Sequence, residues 1–198
     1  MTSQEKEFIR YVKNRCSKRG VKVFLGKGRK VKCDSVLTSG YFDEINKVLA
    51  VASKGDDFIE ILVHEYSHFT QWDENCPIWK KAVKYEAVEN FWLYVSGGEA
   101  KNPIRSLSIS RDLELDCEKR AIEIIKCHGL NVDLDKYHKK ANAYVYFYNW
   151  MKESKRWCKP NNTPYSNKTL LAAMPTHFNN DYTILPKKIR DIFESEGI

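Results

Sequence analysis

The chain has 198 residues, of which 42% are hydrophobic and 13% aromatic, so it can bury a substantial core and is not disordered throughout. No apolar run approaches the roughly eighteen residues that cross a bilayer, and the first residues lack a basic region followed by an apolar one. A membrane protein and an exported protein are therefore not expected.

The net charge is +7, from 33 Lys and Arg against 26 Asp and Glu. The basic residues are mostly dispersed, with local clusters at 27–32 and 152–159, which is typical of solvated faces. Nucleic-acid binding is therefore possible but not expected to be specific. The six cysteines include no Cys-x-x-Cys pair, which favours reduced thiols in the cytosol over disulfides or a Cys-rich zinc site.

The N-terminal third predicts one helix followed by a small sheet. Residues 3–19 have the apolar stripe of an amphipathic helix, with Ser3 as N-cap and Gly20 at the end. The segment 21–25 reads as a strand that a turn joins to a returning strand. The four predicted extended segments are 21–25, 31–33, 37–42 and 47–52. Together they predict an α+β fold with a small, mostly antiparallel sheet.

The most informative stretch is His64-Glu65-Tyr66-Ser67-His68, inside a helix predicted over 56–72 that begins at Asp56 or Asp57. Residues four apart share one face of a helix, so His64 and His68 can reach the same ion. Glu65 lies about one hundred degrees around the helix, where it can hold a water on that ion. The pattern predicts two zinc ligands and a general base, whereas a core helix with incidental histidines is the alternative.

A second informative segment, the helix over 111–125, is acidic in its first two turns. Glu114 and Glu118 are four residues apart and share a face with apolar positions, so a cation would compensate their burial. Acidic residues are also favoured near a helix N-terminus by its dipole, which is the alternative explanation. Between the two informative segments, a helix is predicted over 78–96 and a loop over 101–105.

The remainder of the chain is predicted to be mainly helical. A long aromatic helix is expected over 135–156 and a turn-rich linker over 159–164. Two shorter helices follow, over 167–173 and 186–194. There are no internal repeats, so we expect one domain over 1–198 with a helical C-terminal portion at 130–198.

Residues 64–68, followed by Glu114-Leu115-Asp116-Cys117-Glu118 on a later helix, resemble the gluzincin branch of the zincin metallopeptidases. More narrowly, the chain is similar to the metallopeptidases described in tailed-phage genomes. That likeness lies in the phrases His-Glu-Tyr-Ser-His-Phe-Thr-Gln-Trp, Glu-Leu-Asp-Cys-Glu, Tyr-Phe-Tyr-Asn-Trp-Met-Lys and Met-Pro-Thr-x-Phe. The zincin likeness covers about 37–125.

The resemblance implies a hydrolase that binds Zn²⁺ through His64, His68 and Glu114 and acts on a protein or peptide substrate, with Glu65 as general base. Glu118 would steady a ligand histidine, or would itself be the third ligand. A Tyr or His donor to the oxyanion is also implied, and the candidates are His177, Tyr165, Tyr144 and His138. The expected location is cytoplasmic, in the host cytoplasm if a phage encodes the chain.

The main alternative is a zincin-fold interaction module without catalytic activity. It could also be associated with nucleic acid, given the positive net charge and the aromatic helix at 135–156.

Overall fold

The computed structural model describes residues 1–33 and 36–198 and confirms the α+β class, with 56% of the chain helical. The described residues form eight helices and two small sheets. They divide into two compact units. The first consists of Met1–Cys76 and Cys117–Val132, and the second of Pro77–Asp116 and Asp133–Ile198.

The first unit opens with helix α1 (Ser3–Ser17), whose N-cap is Thr2 and not the predicted Ser3. The Thr2 side chain accepts from the backbone N–H of Glu5, and the Glu5 carboxylate accepts from the backbone N–H of Thr2. This reciprocal capping box satisfies two helix-end donors, which a cap at Ser3 would leave to solvent. The buried stripe of α1 is Phe8, Val12 and Cys16.

Five strands follow: β1 (Lys22–Gly26), β2 (Val31–Cys33), β3 (Val36–Thr38), β4 (Gly40–Asp43) and β5 (Val48–Ala52). The main sheet has the order β1-β5-β4, with β1 parallel to β5 and β4 antiparallel to it. A separate antiparallel hairpin contains β2 and β3.

Two predictions about these strands were wrong. The expected hairpin between 21–25 and 31–33 does not form, because β1 pairs in parallel with β5, so the main sheet is mixed. The predicted strand 37–42 is two strands, β3 and β4, which belong to different sheets. The carbonyl of Ser39, between them, accepts from Ala52 N–H, so this residue pairs with the end of β5.

Helix α2 (Phe58–Asp73) packs against β4 and β5. It begins one residue after Asp57, whose side chain makes no capping bond, so neither expected aspartate acts as a side-chain cap. The buried side chains of α2 recur with helical spacing, which places one apolar face toward the sheet. They include Leu62, Val63, Tyr66 and Phe69.

The second unit contains α3 (Pro77–Lys84), α4 (Ala87–Val95), α6 (Leu134–Ser154), α7 (Lys168–Ala173) and α8 (Lys187–Ser195). The predicted single helix 78–96 is wrong, because Glu86 adopts a left-handed conformation (φ 48°) that separates α3 from α4. The core of this second unit is built around the buried side chains of α6, among them Phe147, Tyr148 and Met151.

Helix α5 (Pro103–Cys127) is continuous, with residues up to Asp116 in the second unit and those from Cys117 in the first. The predicted loop 101–105 is wrong at its end, because Pro103 is the first residue of this helix. Proline is suited to that position, since its missing N–H would have no intrahelical partner there.

None of the helices in the described ranges is long and apolar enough to cross a bilayer.

Candidate metal centre

Helix α2 carries both histidines of the motif. The helix is continuous through both residues. Two of its hydroxyl side chains donate to carbonyls of the preceding turn: Ser67 Oγ to Val63 at 2.8 Å and Thr70 Oγ1 to Ser67 at 2.7 Å. The rings of His64 and His68 lie 4.8 Å apart, centroid to centroid, and are perpendicular. The i, i+4 spacing therefore brings two imidazoles together on one partly buried face, as the sequence predicts.

Both imidazoles use their Nδ1 atoms in contacts with side-chain oxygens. His64 Nδ1 lies 3.1 Å from Glu118 Oε1, and His68 Nδ1 lies 2.9 Å from Gln71 Oε1. An N–H at Nδ1 donating to these oxygens leaves Nε2 with the lone pair. Metal-binding histidines generally have this arrangement, in which an outer acceptor holds the tautomer and the orientation of the ring.

The pKa of His64 depends on its burial and on two neighbouring residues. Burial disfavours the imidazolium, but Cys117 and Glu118 outweigh burial and raise the pKa of His64 well above its ordinary value. A metal ion at this histidine displaces a proton. The side chain of Glu118 is only 7% exposed, so its interaction with His64 is poorly screened by solvent.

Cys117 packs against the same side of His64 as Glu118 does. Its sulfur is 3.7 Å from His64 Nδ1 and donates to the His64 carbonyl at 3.4 Å. The residue is fully buried. The second part of α5 is held near α2 by Arg120 as well, which donates to Glu74 at 2.6 Å and to Thr70 at 3.3 Å.

Four side chains form a group that can hold a metal ion: one ligand atom each of His64, His68, Glu114 and Cys117 lies within 4.8 Å of the others. Glu114 precedes Cys117 by three residues and Glu118 by four on the unbroken helix α5, so the three share one face. Imidazole, carboxylate and thiolate are all ligands of zinc, so the donor set fits such an ion. Glu114 is thus in the group, whereas Glu118 contacts Nδ1 of His64.

Glu65, the predicted general base, is 8% exposed and lies against the start of strand β4. A Cβ added to Gly40 would be 2.9 Å from Glu65 Cγ, 3.1 Å from Glu65 Oε1 and 2.7 Å from Ile61 Cγ2. Glycine at this position therefore allows β4 and α2 to approach closely enough to place the carboxylate beside the strand.

Two of the predicted oxyanion donors, Tyr165 and Tyr144, belong to a row of tyrosines that ends at Glu114. The ring of Tyr165 meets that of Tyr144 edge-on at 6.0 Å. The Tyr144 hydroxyl is 3.4 Å from that of Tyr148, which in turn donates to Glu114 Oε1 at 3.5 Å. Burial, together with the neighbouring Tyr148 and Glu114, raises the pKa of Tyr144 well above its ordinary value, so this hydroxyl keeps its proton.

The two predicted histidine donors have other contacts. His138 Nδ1 is 2.7 Å from the Leu134 carbonyl of its own helix, and its ring packs edge-on against Phe178. The side chain of His177 is exposed, and its carbonyl accepts from Asn142 at 3.0 Å.

Three residues of the centre were not among the predicted site residues: Gln71, Cys117 and Tyr148. Gln71 could have been found, because it lies three residues after His68 on the same helical face. Cys117 is likewise one turn from Glu114. No local pattern connects Tyr148 with Glu114, since their contact joins residues 34 positions apart on different helices.

The chain was also compared with family models, curated proteins and solved structures, and none of the three comparisons found a match.

Proposed function

We propose that the chain is a zinc-dependent metallopeptidase with a zincin-like arrangement of the main sheet and α2. The observation that carries the proposal is the pair His64 and His68 on one face of α2, each with Nδ1 against a side-chain oxygen, and Glu65 between them in sequence. Metal-binding histidines are generally oriented by an acceptor at the other ring nitrogen, so these two contacts support a ligand role for both rings.

We propose His64, His68 and Glu114 as the protein ligands. Two imidazoles and a carboxylate suit zinc and leave a fourth position for solvent, as catalytic sites require. A zinc ion held there would lower the pKa of a coordinated water toward neutrality and would polarise the scissile carbonyl. Cys117 and Glu118 contact the Nδ1 side of His64, so their role in the proposal is to orient this ligand and strengthen it as a base.

Glu65 is proposed as the general base. Its carboxylate takes a proton from the attacking water and passes the proton to the leaving amine. Glu65 is buried against Gly40, the first residue of β4, so its side chain can adopt few orientations. This favours a fixed position for proton transfer. Tyr144 and Tyr165 are the proposed donors to the oxyanion, because their row of side chains ends at Glu114.

The proposed substrate is an extended polypeptide. Strand β4 is an edge strand of the main sheet and contacts α2. A peptide that adds along such an edge binds through its backbone, with little dependence on sequence. Gly40 begins this strand and lies against Glu65, so a peptide along β4 would have its backbone near the proposed base.

The experiment is to replace Glu65 by Gln, with Glu7→Gln as a control that removes the same charge from an exposed position on α1. Zinc content is measured by mass spectrometry, and hydrolysis with an unfolded protein labelled with a fluorophore. We expect Glu65→Gln to keep its zinc and lose at least about a hundredfold in rate, since general acid–base catalysis contributes that much.

Glu7→Gln should cleave at the wild-type rate. Hydrolysis by Glu65→Gln at that same rate would contradict the mechanism. If the wild-type chain bound zinc but cleaved nothing, the site would be a metal-binding module without peptidase activity.

A further inference from the structure

One local cluster of basic residues precedes the motif in the sequence. The segment 22–33 contains five basic residues and no acidic one, although the whole chain has a net charge of only +7. All five side chains are exposed: Lys22, Lys27, Arg29, Lys30 and Lys32. Such a density of like charges gives this surface a positive potential that attracts anions.

An exposed aromatic side chain lies on the same segment. Phe24 is in the middle of β1 and is 58% exposed, which is unusual for a phenylalanine within a sheet. Its partner in the register is Ala50, and neighbours in register point to the same sheet face. Val31 packs with Ala50 and Ala52 in one cluster, so the β2–β3 hairpin lies over the face from which Phe24 projects.

Other contacts hold the loop 27–30 beside this face. The backbone N–H of Lys54, another exposed cation, donates to the Gly28 carbonyl at 3.1 Å. Lys30 Nζ donates to Ser39 Oγ at 3.0 Å, which orients this side chain along the hairpin. Asp43, an acidic residue on the same face of β4, accepts from the backbone N–H groups of Ile45 and Asn46, so it is engaged within its own turn.

We propose that the surface formed by residues 22–33 and Lys54 binds single-stranded nucleic acid with little sequence preference. The basic side chains contact successive phosphates, and the exposed face of Phe24 provides a platform on which one base stacks. Binding of this kind needs only a cationic track with an aromatic ring beside it, because every base has a π-face. A duplex cannot use the ring in this way, since its bases are already stacked.

The test uses a fluorescent thymidine 20-mer and anisotropy at several salt concentrations. The triple variant Lys27→Gln, Arg29→Gln, Lys32→Gln removes three cations from the surface, and Lys6→Gln, Arg10→Gln, Lys13→Gln removes the same three charges from exposed positions on α1. Each phosphate contact contributes about 0.7 to the slope of log affinity against log salt, so the first triple should lower the slope by about 2. The second should leave it nearly unchanged.

Phe24→Ala and Phe24→Trp test the stacking. Loss of one stacked base costs roughly fivefold or more in affinity, so Phe24→Ala should bind at least that much more weakly, and Phe24→Trp should bind as well as wild type. Circular dichroism and the thermal midpoint establish that each variant is folded.

If the two triple variants lost the same affinity for the 20-mer, only the net charge of the chain would matter, and the proposal would be overturned. So would equal affinity for a duplex of the same length, or binding to vesicles of anionic phospholipid without binding to the oligonucleotide. The Glu65→Gln variant should bind the 20-mer like wild type, so the outcome does not depend on peptidase activity.

Discussion

Glu118 Oε1 lies 3.1 Å from Nδ1 of His64, and the two residues are 54 positions apart in the chain. The carboxylate belongs to α5 and the imidazole to α2, so the second half of α5 is positioned by the same interaction that orients a proposed ligand. A buried carboxylate behind a metal-binding histidine raises the basicity of the ring and fixes its rotation.

Removal of the Glu118 carboxylate should weaken metal binding without removing a ligand. Loss of such an outer acceptor typically costs 10- to 100-fold in affinity, so we expect Glu118→Ala near the upper end and Glu118→Gln, which keeps an acceptor, near the lower end. Zinc affinity is measured by competition with a chromophoric chelator. The control is Glu123→Gln, on the same helix but exposed and paired with Lys126. Wild-type affinity in Glu118→Ala would contradict an orienting role.

Alanine at Gly40 should disturb the proposed base through a steric clash. The new methyl group would lie within 3 Å of Ile61 Cγ2 and Glu65 Cγ, and overpacking of this kind costs about 1–3 kcal/mol of the free energy of unfolding. We also expect slower hydrolysis by folded protein, with zinc affinity unchanged. Urea denaturation and rates normalised to folded protein measure the two effects.

The matched control is Gly28→Ala, where the added Cβ would meet its nearest atom, the Lys30 carbonyl oxygen, at 3.4 Å, an ordinary contact. Its free energy of unfolding should stay within about 0.5 kcal/mol of wild type. A Gly40→Ala protein as stable and as active as Gly28→Ala would show that Glu65 does not depend on the close approach of β4.

Much of the helical structure could be predicted from the sequence, because apolar periodicity is a local property. The bounds of α1, α2, α6 and α7 fall within about two residues of the predicted ones. The pairing of β1 with β5 could not be predicted, because it joins segments more than twenty residues apart and depends on how α1 packs on β1. The break at Glu86 was also missed, since no Gly or Pro marks it.

In the candidate site, too, one part could be predicted from the sequence and another could not. The approach of His64 and His68 follows from helix geometry alone and was predicted. That Glu118 meets His64, and that Cys117 lies on the same side of this ring, depends on the packing of α5 against α2. The sequence gives the spacing of Glu114 and Glu118, but it does not show which of these two side chains contacts a histidine.

Cobalt substitution should distinguish Glu114 from Cys117 as the third ligand. Because the sulfur of Cys117 lies 3.7 Å from Nδ1 of His64, the nitrogen that also contacts Glu118, we expect Co²⁺ to lack a thiolate charge-transfer band in the near ultraviolet. Glu114→Gln should then weaken zinc binding far more than Cys117→Ser. An intense band that disappears in Cys117→Ser would contradict this assignment and make the thiolate a ligand.

Cys16 should make the stability of the chain sensitive to alkaline pH. Burial, with the negative charge of Asp73, raises the pKa of this thiol from 9.0 to about 12. An unfolded chain releases the proton above about pH 9 while the folded one retains it, so the stabilising contribution is complete below pH 9 and is lost as the pH rises toward 12. One such proton changes the free energy of unfolding by about 1.4 kcal/mol per pH unit.

Urea denaturation between pH 8 and 11 measures this effect as a slope. Cys16→Ala lowers stability at every pH because it leaves a small cavity, but it also removes the titrating thiol. Its stability should therefore fall less steeply above pH 9 than that of wild type, by up to about 1.4 kcal/mol per pH unit. Cys127→Ala, which replaces an exposed thiol, should keep the wild-type slope. Identical slopes for wild type and Cys16→Ala would mean that the Cys16 thiol ionises as readily in the folded chain as in the unfolded one.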